Sequence, residues 1–211
     1  MTLEAPPLGS RFILHDVSWQ GYQILLREVG DRHVFITYDR GKLEFMSPSP
    51  KHERVAGLIT RLIWAYTEEM RIPIASFGMA TWGREDLERG LEADSCFYIA
   101  NEPLVRGRED VDLTRDPRPD LAIEVEVTRS GLDRLSIYKA LRIGELWRWA
   151  DERLSVQLLE SGEYQPATRS RNLPGLPPEI VESFISRRTG MDELTWISEF
   201  RKWVRDQRGQ P

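Results

Sequence analysis

The segment from Leu121 to Thr128 alternates strictly between apolar and other residues, which constrains it to a β-strand. One face carries leucine, isoleucine and valine, and the other carries Ala122, Glu124, Glu126 and Thr128. Carboxylates on alternate residues of a strand lie roughly 6.5 to 7 Å apart along the backbone. Burying two negative charges is costly unless a cation or a positive side chain faces them. The strand therefore predicts a metal-binding or phosphate-handling site.

The composition is that of an ordinary globular protein. The chain has 211 residues, of which 40% are hydrophobic and 30% charged, enough for one well-buried core. The single cysteine, Cys96, excludes an intramolecular disulfide, and residues 1–7 lack the basic and apolar stretches of a signal peptide. No apolar run approaches the length of a membrane span. We therefore expect a cytoplasmic protein.

The net charge of −5 and the isoelectric point near 5.4 limit the class of ligand. A protein that coats nucleic acid without specificity is usually basic, so this charge counts against a large DNA-coating surface. It does not count against an enzyme that concentrates acidic residues around a cation.

Periodicity and turn residues divide the chain into helices and strands. Helices are predicted over residues 18–29, 50–70, 132–142, 177–186 and 191–204, and strands over 33–38, 43–46, 74–81, 92–99, 119–128, 145–149 and 154–159. The chain contains no internal repeat. This order predicts one α/β (α+β) domain over residues 1–211, in which residues 177–211 form a C-terminal helical extension.

Three of the predicted strands carry carboxylates among core hydrophobic residues. These are Glu44 in the hairpin, Glu92 and Asp94 on one face of a later strand, and Glu124 with Glu126. If the three strands are neighbours, the side chains form an oxygen-rich site suited to Mg²⁺ or Mn²⁺, which needs only one or two protein carboxylates. Alternatively, each carboxylate pairs with a surface arginine on a solvated sheet face.

The helix after the alternating strand offers a cation. Arg134 and Tyr138 lie on its apolar stripe and are predicted to face the sheet. Arg134 cannot act as a base, because a guanidinium group stays protonated. It can bind a scissile phosphate in bidentate fashion or offset charge in the transition state. A salt bridge from this helix to Glu124 or Glu126 explains the same spacing equally well.

Two other residues have chemical potential but are predicted to be structural. His52 lies near a helix N-terminus on the stripe that faces the core, and a packed or capping histidine is more common there than a ligand. The other histidines, His15 and His33, are distant in sequence, which argues against a zinc site. Cys96 lies within a strand and is predicted to be a core residue.

The polar stretch over residues 101–118 lacks periodicity, and a loop of this length is often functional or mobile. Its arginines, together with two later ones, are candidates for contacts with a DNA backbone: Arg106, Arg108, Arg115, Arg118, Arg169 and Arg171. Four carboxylates alternate with the loop arginines: Glu109, Asp110, Asp112 and Asp116. A solvated segment of mixed charge is therefore the alternative interpretation.

Five motifs follow one another along the chain. They are Tyr38…Gly41-x-Leu43-Glu44-x-Met46-Ser47-Pro48, His52-Glu53, Glu92-Ala93-Asp94, Pro119-Asp120-Leu121-x-x-Glu124-Val125 and Ile137-Tyr138…Glu145-x-Trp147. Their order and spacing resemble those of the Uma-two family, bacterial restriction endonucleases within the PD-(D/E)-x-K nuclease superfamily. The likeness runs from about Arg11 to Phe184. Each motif is weak alone, and their combination is quite specific.

The resemblance implies a restriction-endonuclease-like core, in which a mixed central β-sheet is flanked by helices, and a phosphodiesterase site that depends on Mg²⁺ or Mn²⁺. It implies that Asp94 and Glu124 bind the metal, with Glu44 as an additional acidic ligand and His52 as a neighbour. Glu126 stands where the superfamily has lysine, and Arg134 occupies the place of a basic residue moved to the following helix. A slow nuclease, or one that has lost activity, is consistent with this departure.

The sequence leaves three functions open. The first is a metal-dependent endonuclease that hydrolyses DNA phosphodiester bonds. Its catalytic residues would be Glu44, Asp94, Glu124, Glu126 and Arg134, with His52 and Tyr138 in secondary roles. In that hypothesis Glu126 positions the attacking water or binds a second ion. The second function is a catalytically inactive binding or assembly module with a nuclease fold, and the third is a glycosidase that uses a carboxylate pair. A homodimer is a further expectation.

Overall fold

The computed structural model describes residues 7–30 and 32–208, which contain eleven strands and six α-helices. The strands are β1 (Arg11–Leu14), β2 (Phe35–Asp39), β3 (Lys42–Met46), β4 (Ala75–Gly78), β5 (Thr81–Arg84), β6 (Arg89–Glu92), β7 (Ser95–Tyr98), β8 (Leu121–Glu126), β9 (Glu145–Ala150), β10 (Arg153–Glu160) and β11 (Glu163–Ala167). The helices are α1 (Trp19–Val29), α2 (Pro50–Met70), α3 (Glu102–Val105), α4 (Arg134–Ala140), α5 (Pro178–Arg187) and α6 (Glu193–Arg208). Within these ranges, no helix combines the length and the apolar character that a membrane span requires. The prediction that residues 1–7 are not a signal peptide concerns residues outside the described ranges, except for Pro7.

A six-stranded sheet in the order β11-β10-β9-β8-β7-β4 forms the centre of the molecule. Strands β8 and β9 run parallel and the other neighbours run antiparallel, so the sheet is mixed. Leu121, Ile123 and Val125 pack on one face against α2, α5 and α6, whereas Ala122 packs on the other face against α4. The predicted α/β class, with a mixed central sheet flanked by helices, is confirmed.

A second, five-stranded antiparallel sheet has the order β1-β3-β2-β6-β5, and α1 packs on it through Trp19 and Tyr22. The prediction of one strand over residues 92–99 is wrong, because β6 ends in this sheet at Glu92 and β7 begins in the six-stranded sheet at Ser95. Between them, a carboxylate oxygen of Asp94 accepts the backbone amide of Val125 at 2.5 Å. The side chain of Asp94 thus accepts the hydrogen bond that the amide of Val125 would donate to the backbone of a longer β7.

The predicted strand over residues 74–81 contains β4 of the six-stranded sheet and reaches only the first residue, Thr81, of β5 in the five-stranded sheet. Gly78 at the end of β4 has φ +57°, a left-handed conformation that ends the strand and that glycine adopts readily. Strands β1 and β11 have no counterpart among the predicted strands. The helices predicted from residue 177 onward are present as α5 and α6, and both contribute to the core on the α2 face.

Candidate active site

Glu124 lies near the end of β8 on the face that α4 covers, and only 6% of the residue is exposed. Its Oε2 atom accepts hydrogen bonds from Nη2 of Arg134 at 2.8 Å and from the hydroxyl of Tyr138 at 2.7 Å. Its Oε1 atom lies 2.5 Å from Nε of Arg134, whose N–H direction is off line for a hydrogen bond. Arg134 and Tyr138 therefore face the sheet as predicted, and the helix-to-sheet salt bridge is formed.

Arg134 connects the two sheets. Beside Glu124, its guanidinium group donates to the hydroxyl of Thr37 on β2 and, at 2.7 Å, to the backbone carbonyl of Glu92 at the end of β6. Asp133 caps α4 by accepting the amide of Ser136 at 3.1 Å, so Arg134 is the first residue of the helix. A positive charge is unfavourable at a helix N-terminus, so the three partners compensate for this position.

Burial and the neighbouring charges shift the pKa of Glu124 in opposite directions. Burial raises the pKa of its carboxyl group above the usual 4.5, Arg134 lowers it, and the charge of Asp94 raises it further. Burial lowers the pKa of Arg134, but the carboxylate of Glu124 outweighs this effect and raises it. The guanidinium group is thus a permanent cation, and the pKa of the Glu124 carboxyl group is raised on balance because burial and Asp94 together outweigh Arg134.

Asp94 lies beside this pair in the turn between β6 and β7. It is bound to the amide of Val125, the residue after Glu124, and its other oxygen lies 3.2 Å from Nε2 of His52 on α2. The ring of His52 is buried, and its Nδ1 lies 3.3 Å from a carboxylate oxygen of Glu53. Burial alone lowers the pKa of His52, but Asp94 and Glu124 outweigh this effect and raise it. The structure brings Asp94, Glu124, Arg134, Tyr138 and His52 together.

Glu92 and Glu44 lie apart from this group. The carboxylate of Glu92 accepts the amide of Ile36 at 2.6 Å and the hydroxyl of Thr81 at 3.2 Å, and burial raises its pKa. It therefore braces the five-stranded sheet and does not share a strand face with Asp94. Glu44 is 1% exposed. It accepts donors from Arg11 at 2.7 Å, the hydroxyl of Ser130 at 2.8 Å and the amide of Gly131 at 2.7 Å.

A cleft of about 450 Å³ opens beside Glu124. Its lining residues come from β8, β9, β10, α4 and the loop between β8 and α4: Glu124, Glu126, Arg129, Ser130, Gly131, Leu132, Asp133, Arg134, Leu135, Tyr138, Leu146, Arg148 and Gln157. Three of these residues are arginines. Tyr138 is the one aromatic residue among these lining residues, so the cleft lacks the aromatic lining expected for a sugar-binding cleft.

Two of the cleft arginines, Arg129 and Arg148, were not predicted from the sequence as site residues, although Thr128-Arg129-Ser130 resembles one branch of the Uma-two family. Arg148 lies on β9 opposite Glu124, and its Nη2 donates to Glu126 at 2.6 Å. The only sequence signal is that Arg148 interrupts the apolar segment Leu146-Trp147-Arg148-Trp149 on a predicted strand. Arg129 had no periodic signal, because it lies in the loop after β8.

The profile of the family described as "Uma2: Putative restriction endonuclease" matches residues 19–187. The chain belongs to this family. The Uma2 match contains every residue of the cleft and includes α5, whereas α6 lies beyond it. The resemblance to Uma-two that the sequence motifs indicated is thereby confirmed.

A solved structure is also similar to this Uma2 protein. It is described as a putative nuclease belonging to DUF820 from Anabaena variabilis ATCC 29413, with 14% sequence identity and a TM-score of 0.48. The similarity covers 70% of this chain and 89% of the other. No curated protein matches the sequence at a significant level.

The side chains of this Uma2 protein can be compared with the needs of a hard metal ion. Within residues 7–30 and 32–208, no three His, Cys, Asp or Glu side chains are placed to hold one ion. The predicted ligand set of Asp94, Glu124 and Glu44 is thus not assembled, because Glu44 is bound to Arg11, Ser130 and Gly131. Asp94 and Glu124 remain, and two carboxylates satisfy Mg²⁺ or Mn²⁺, which keeps most of its waters. The chemistry of these two carboxylates therefore fits such an ion.

The arginine-rich loop has the character of a mixed-charge surface. Arg106 pairs with Glu102 at 2.6 Å, and Arg108 pairs with Asp116 at 2.5 Å. Nε of Arg118 donates to the backbone carbonyl of Leu141 at 3.1 Å. These arginines are held by partners within the protein, so the contacts between this loop and DNA stay a prediction.

Proposed function

We propose that this protein is a metal-dependent endonuclease that hydrolyses DNA phosphodiester bonds. The observation that carries the proposal is the Asp94–Glu124 pair. Both carboxylates are buried, and Glu124 lines a cleft whose other lining residues include three arginines. Membership of the Uma2 family supports nuclease chemistry, and the hydrogen bond from the amide of Val125, the residue after Glu124, to Asp94 supports a site that the two carboxylates share.

In this mechanism each residue has a distinct task. Asp94 and Glu124 would hold the ion, and Mg²⁺ or Mn²⁺ would supply Lewis-acid chemistry for phosphodiester hydrolysis when bound. Arg134 and Tyr138 fix the orientation of Glu124 through three short contacts. His52 on α2 holds Asp94 through the carboxylate oxygen that the amide of Val125 does not bind. Arg134 abstracts no proton, because guanidinium stays protonated, and it acts through its charge.

The test is cleavage of plasmid and labelled oligonucleotide DNA in Mg²⁺, in Mn²⁺ and in EDTA, combined with calorimetric titration of Mn²⁺. We expect cleavage only with a metal, and one Mn²⁺ site. We expect Asp94→Asn and Glu124→Gln to lose that site and to reduce the cleavage rate by about 100-fold or more. Glu199→Gln removes a carboxylate from α6, on the other side of the six-stranded sheet, and serves as the control with unchanged activity.

The competing function is a catalytically inactive nuclease-fold binding module. One observation favours it: Arg134 already neutralises Glu124, so the site has a cation without a metal. Circular dichroism of each variant separates loss of the site from loss of the fold. Folded wild-type protein that binds no Mn²⁺, alone or with DNA present, and cleaves no DNA would establish the inactive module and contradict the proposal.

A further inference from the structure

Arg148 is the immediate neighbour of Glu124 on the next strand. Strands β8 and β9 are parallel, and the residue paired with Glu124 is Arg148. Partners in such a register point to the same face of the sheet, about 4.8 Å apart between the strands. Arg148 therefore emerges beside the buried carboxylate, and 41% of its side chain is exposed in the cleft.

The guanidinium group of Arg148 is occupied by a carboxylate of the protein itself. Nη2 donates to Oε2 of Glu126 at 2.6 Å, two residues beyond Glu124 on the same strand face. Carboxylate and phosphate present similar oxygens to an arginine, and both accept the same charge-assisted hydrogen bonds. A carboxylate that occupies an arginine beside a nuclease site thus occupies the position that a substrate phosphate would need.

The side chain of Glu126 is less tightly held by its neighbours than the side chain of Glu124. The side chain of Glu126 is 23% exposed, whereas Glu124 is enclosed by Arg134 and Tyr138. A partly exposed ion pair contributes little to stability, so a competing anion can replace it. The exposed Arg129, on the loop that closes the same cleft, supplies a second guanidinium group for that anion.

We propose that Arg148 and Arg129 form a phosphate-binding subsite for the nucleic-acid strand next to the scissile bond. In the free protein, Glu126 occupies this subsite as an internal counterion, and a phosphate of the strand displaces it. The inference rests on the proposed nuclease function and gives it a substrate contact. The inference also gives a role to Glu126, which stands where the superfamily has lysine. Glu126 competes with the substrate phosphate for Arg148, and it holds neither a second ion nor the attacking water.

Binding of a fluorescein-labelled DNA in EDTA tests the subsite without cleavage. Fluorescence anisotropy is measured between about 50 and 200 mM salt, where the slope of log K against log salt counts phosphate contacts. Arg148→Gln and Arg129→Gln should each make this slope shallower by about 0.9 on duplex DNA, or about 0.7 on a single strand. Glu126→Gln should raise the affinity at the lower salt concentration by about threefold or more, because Arg148 is no longer occupied.

The Arg187–Glu199 pair, which joins α5 to α6 at 3.9 Å, provides the matched control. Arg187→Gln and Glu199→Gln change the net charge by the same amounts outside the cleft, so their effects measure the contribution of net charge alone. In the double variant Glu126→Gln/Arg148→Gln, the gain from Glu126→Gln should disappear. A gain no larger than that of Glu199→Gln, or one that persists without Arg148, would overturn the subsite.

Cleavage assays separate the alternatives. Faster cleavage by Glu126→Gln at low DNA concentration agrees with the internal counterion. Loss of cleavage by Glu126→Gln with unchanged DNA binding would instead establish Glu126 as a second-ion or water-positioning residue and reject the counterion. If the wild-type protein cleaves DNA but both arginine variants bind DNA as Arg187→Gln does, the subsite is rejected and the proposed nuclease function is retained. Wild-type protein that neither binds nor cleaves DNA would reject the proposed function with it.

Discussion

Replacing Arg134 with methionine is expected to lower the free energy of unfolding by about 3–5 kcal/mol, as measured by urea denaturation. The substitution leaves the buried carboxylate of Glu124 with the hydroxyl of Tyr138 but without its cation. It also removes the donor from Thr37 and from the carbonyl of Glu92. Methionine fills much of the same volume, so loss of packing contributes little.

The loss should depend on pH, with a sign set by Glu124. Burial and Asp94 already raise the pKa of this carboxyl group above 4.5, and Arg134 opposes them. Without Arg134 the folded-state pKa rises further, so the native variant holds a proton over a wider range above the unfolded pKa. Stability then falls as pH rises through that range, because the native state binds more protons than the unfolded state. The deficit of Arg134→Met relative to wild type should be smaller at about pH 5 than at about pH 8.

Two further variants make this result decisive. Glu124→Gln in the Arg134→Met background removes the uncompensated charge, so most of the lost stability should return, and the pH dependence of the deficit should disappear. Arg187→Met removes a half-exposed arginine 3.9 Å from Glu199 and should change stability by about 1 kcal/mol or less. An Arg134→Met protein as stable as wild type, or one that Glu124→Gln does not rescue, would contradict this account.

The parts of the site that follow a regular period could be predicted from sequence. The alternation around Glu124 placed it on the α4 face, and the helical spacing of Arg134 and Tyr138 placed them against it. Both predictions depend only on the two-residue period of a strand and the 3.6-residue period of a helix. Cys96 was correctly predicted to be a core residue: it is fully buried and accepts the indole N–H of Trp82 at 3.0 Å.

The parts of the site that depend on contacts between residues distant in sequence could not be predicted. Residues 92–99 have the pattern of one strand, and only the bond between Asp94 and the amide of Val125 shows where the chain changes sheets. Arg148 became a neighbour of Glu124 through the parallel register of β8 and β9, which is a long-range property. The role of Glu44 was likewise decided by Ser130 and Gly131, which lie far from it in sequence.

Glu44 is the residue for which sequence and structure give the most different roles. The family resemblance implies a metal ligand, whereas its contacts make it an anchor for the loop between β8 and α4. One oxygen accepts both Arg11 and the hydroxyl of Ser130, and the other accepts the amide of Gly131. Arg11 also donates to the hydroxyl of Thr128 at 3.1 Å, so β1 and Glu44 hold the same loop from two sides. This loop carries Arg129 into the cleft.

The anchor role predicts a large effect on stability and none on the number of bound ions. Glu44→Ala should lower the free energy of unfolding by about 3–5 kcal/mol, because Arg11 is left as a largely buried charge without its partner. Glu44→Gln should cost about 1–3 kcal/mol, since its amide nitrogen must face a donor on one side. Ser130→Ala, which removes one donor, should cost about 1 kcal/mol. In the proposed function Asp94 and Glu124 are the ligands of the ion, so folded Glu44→Gln protein should still titrate with one Mn²⁺. The opposite pattern, full stability with the Mn²⁺ site lost, would make Glu44 a metal ligand and would mean that the loop is held by other contacts.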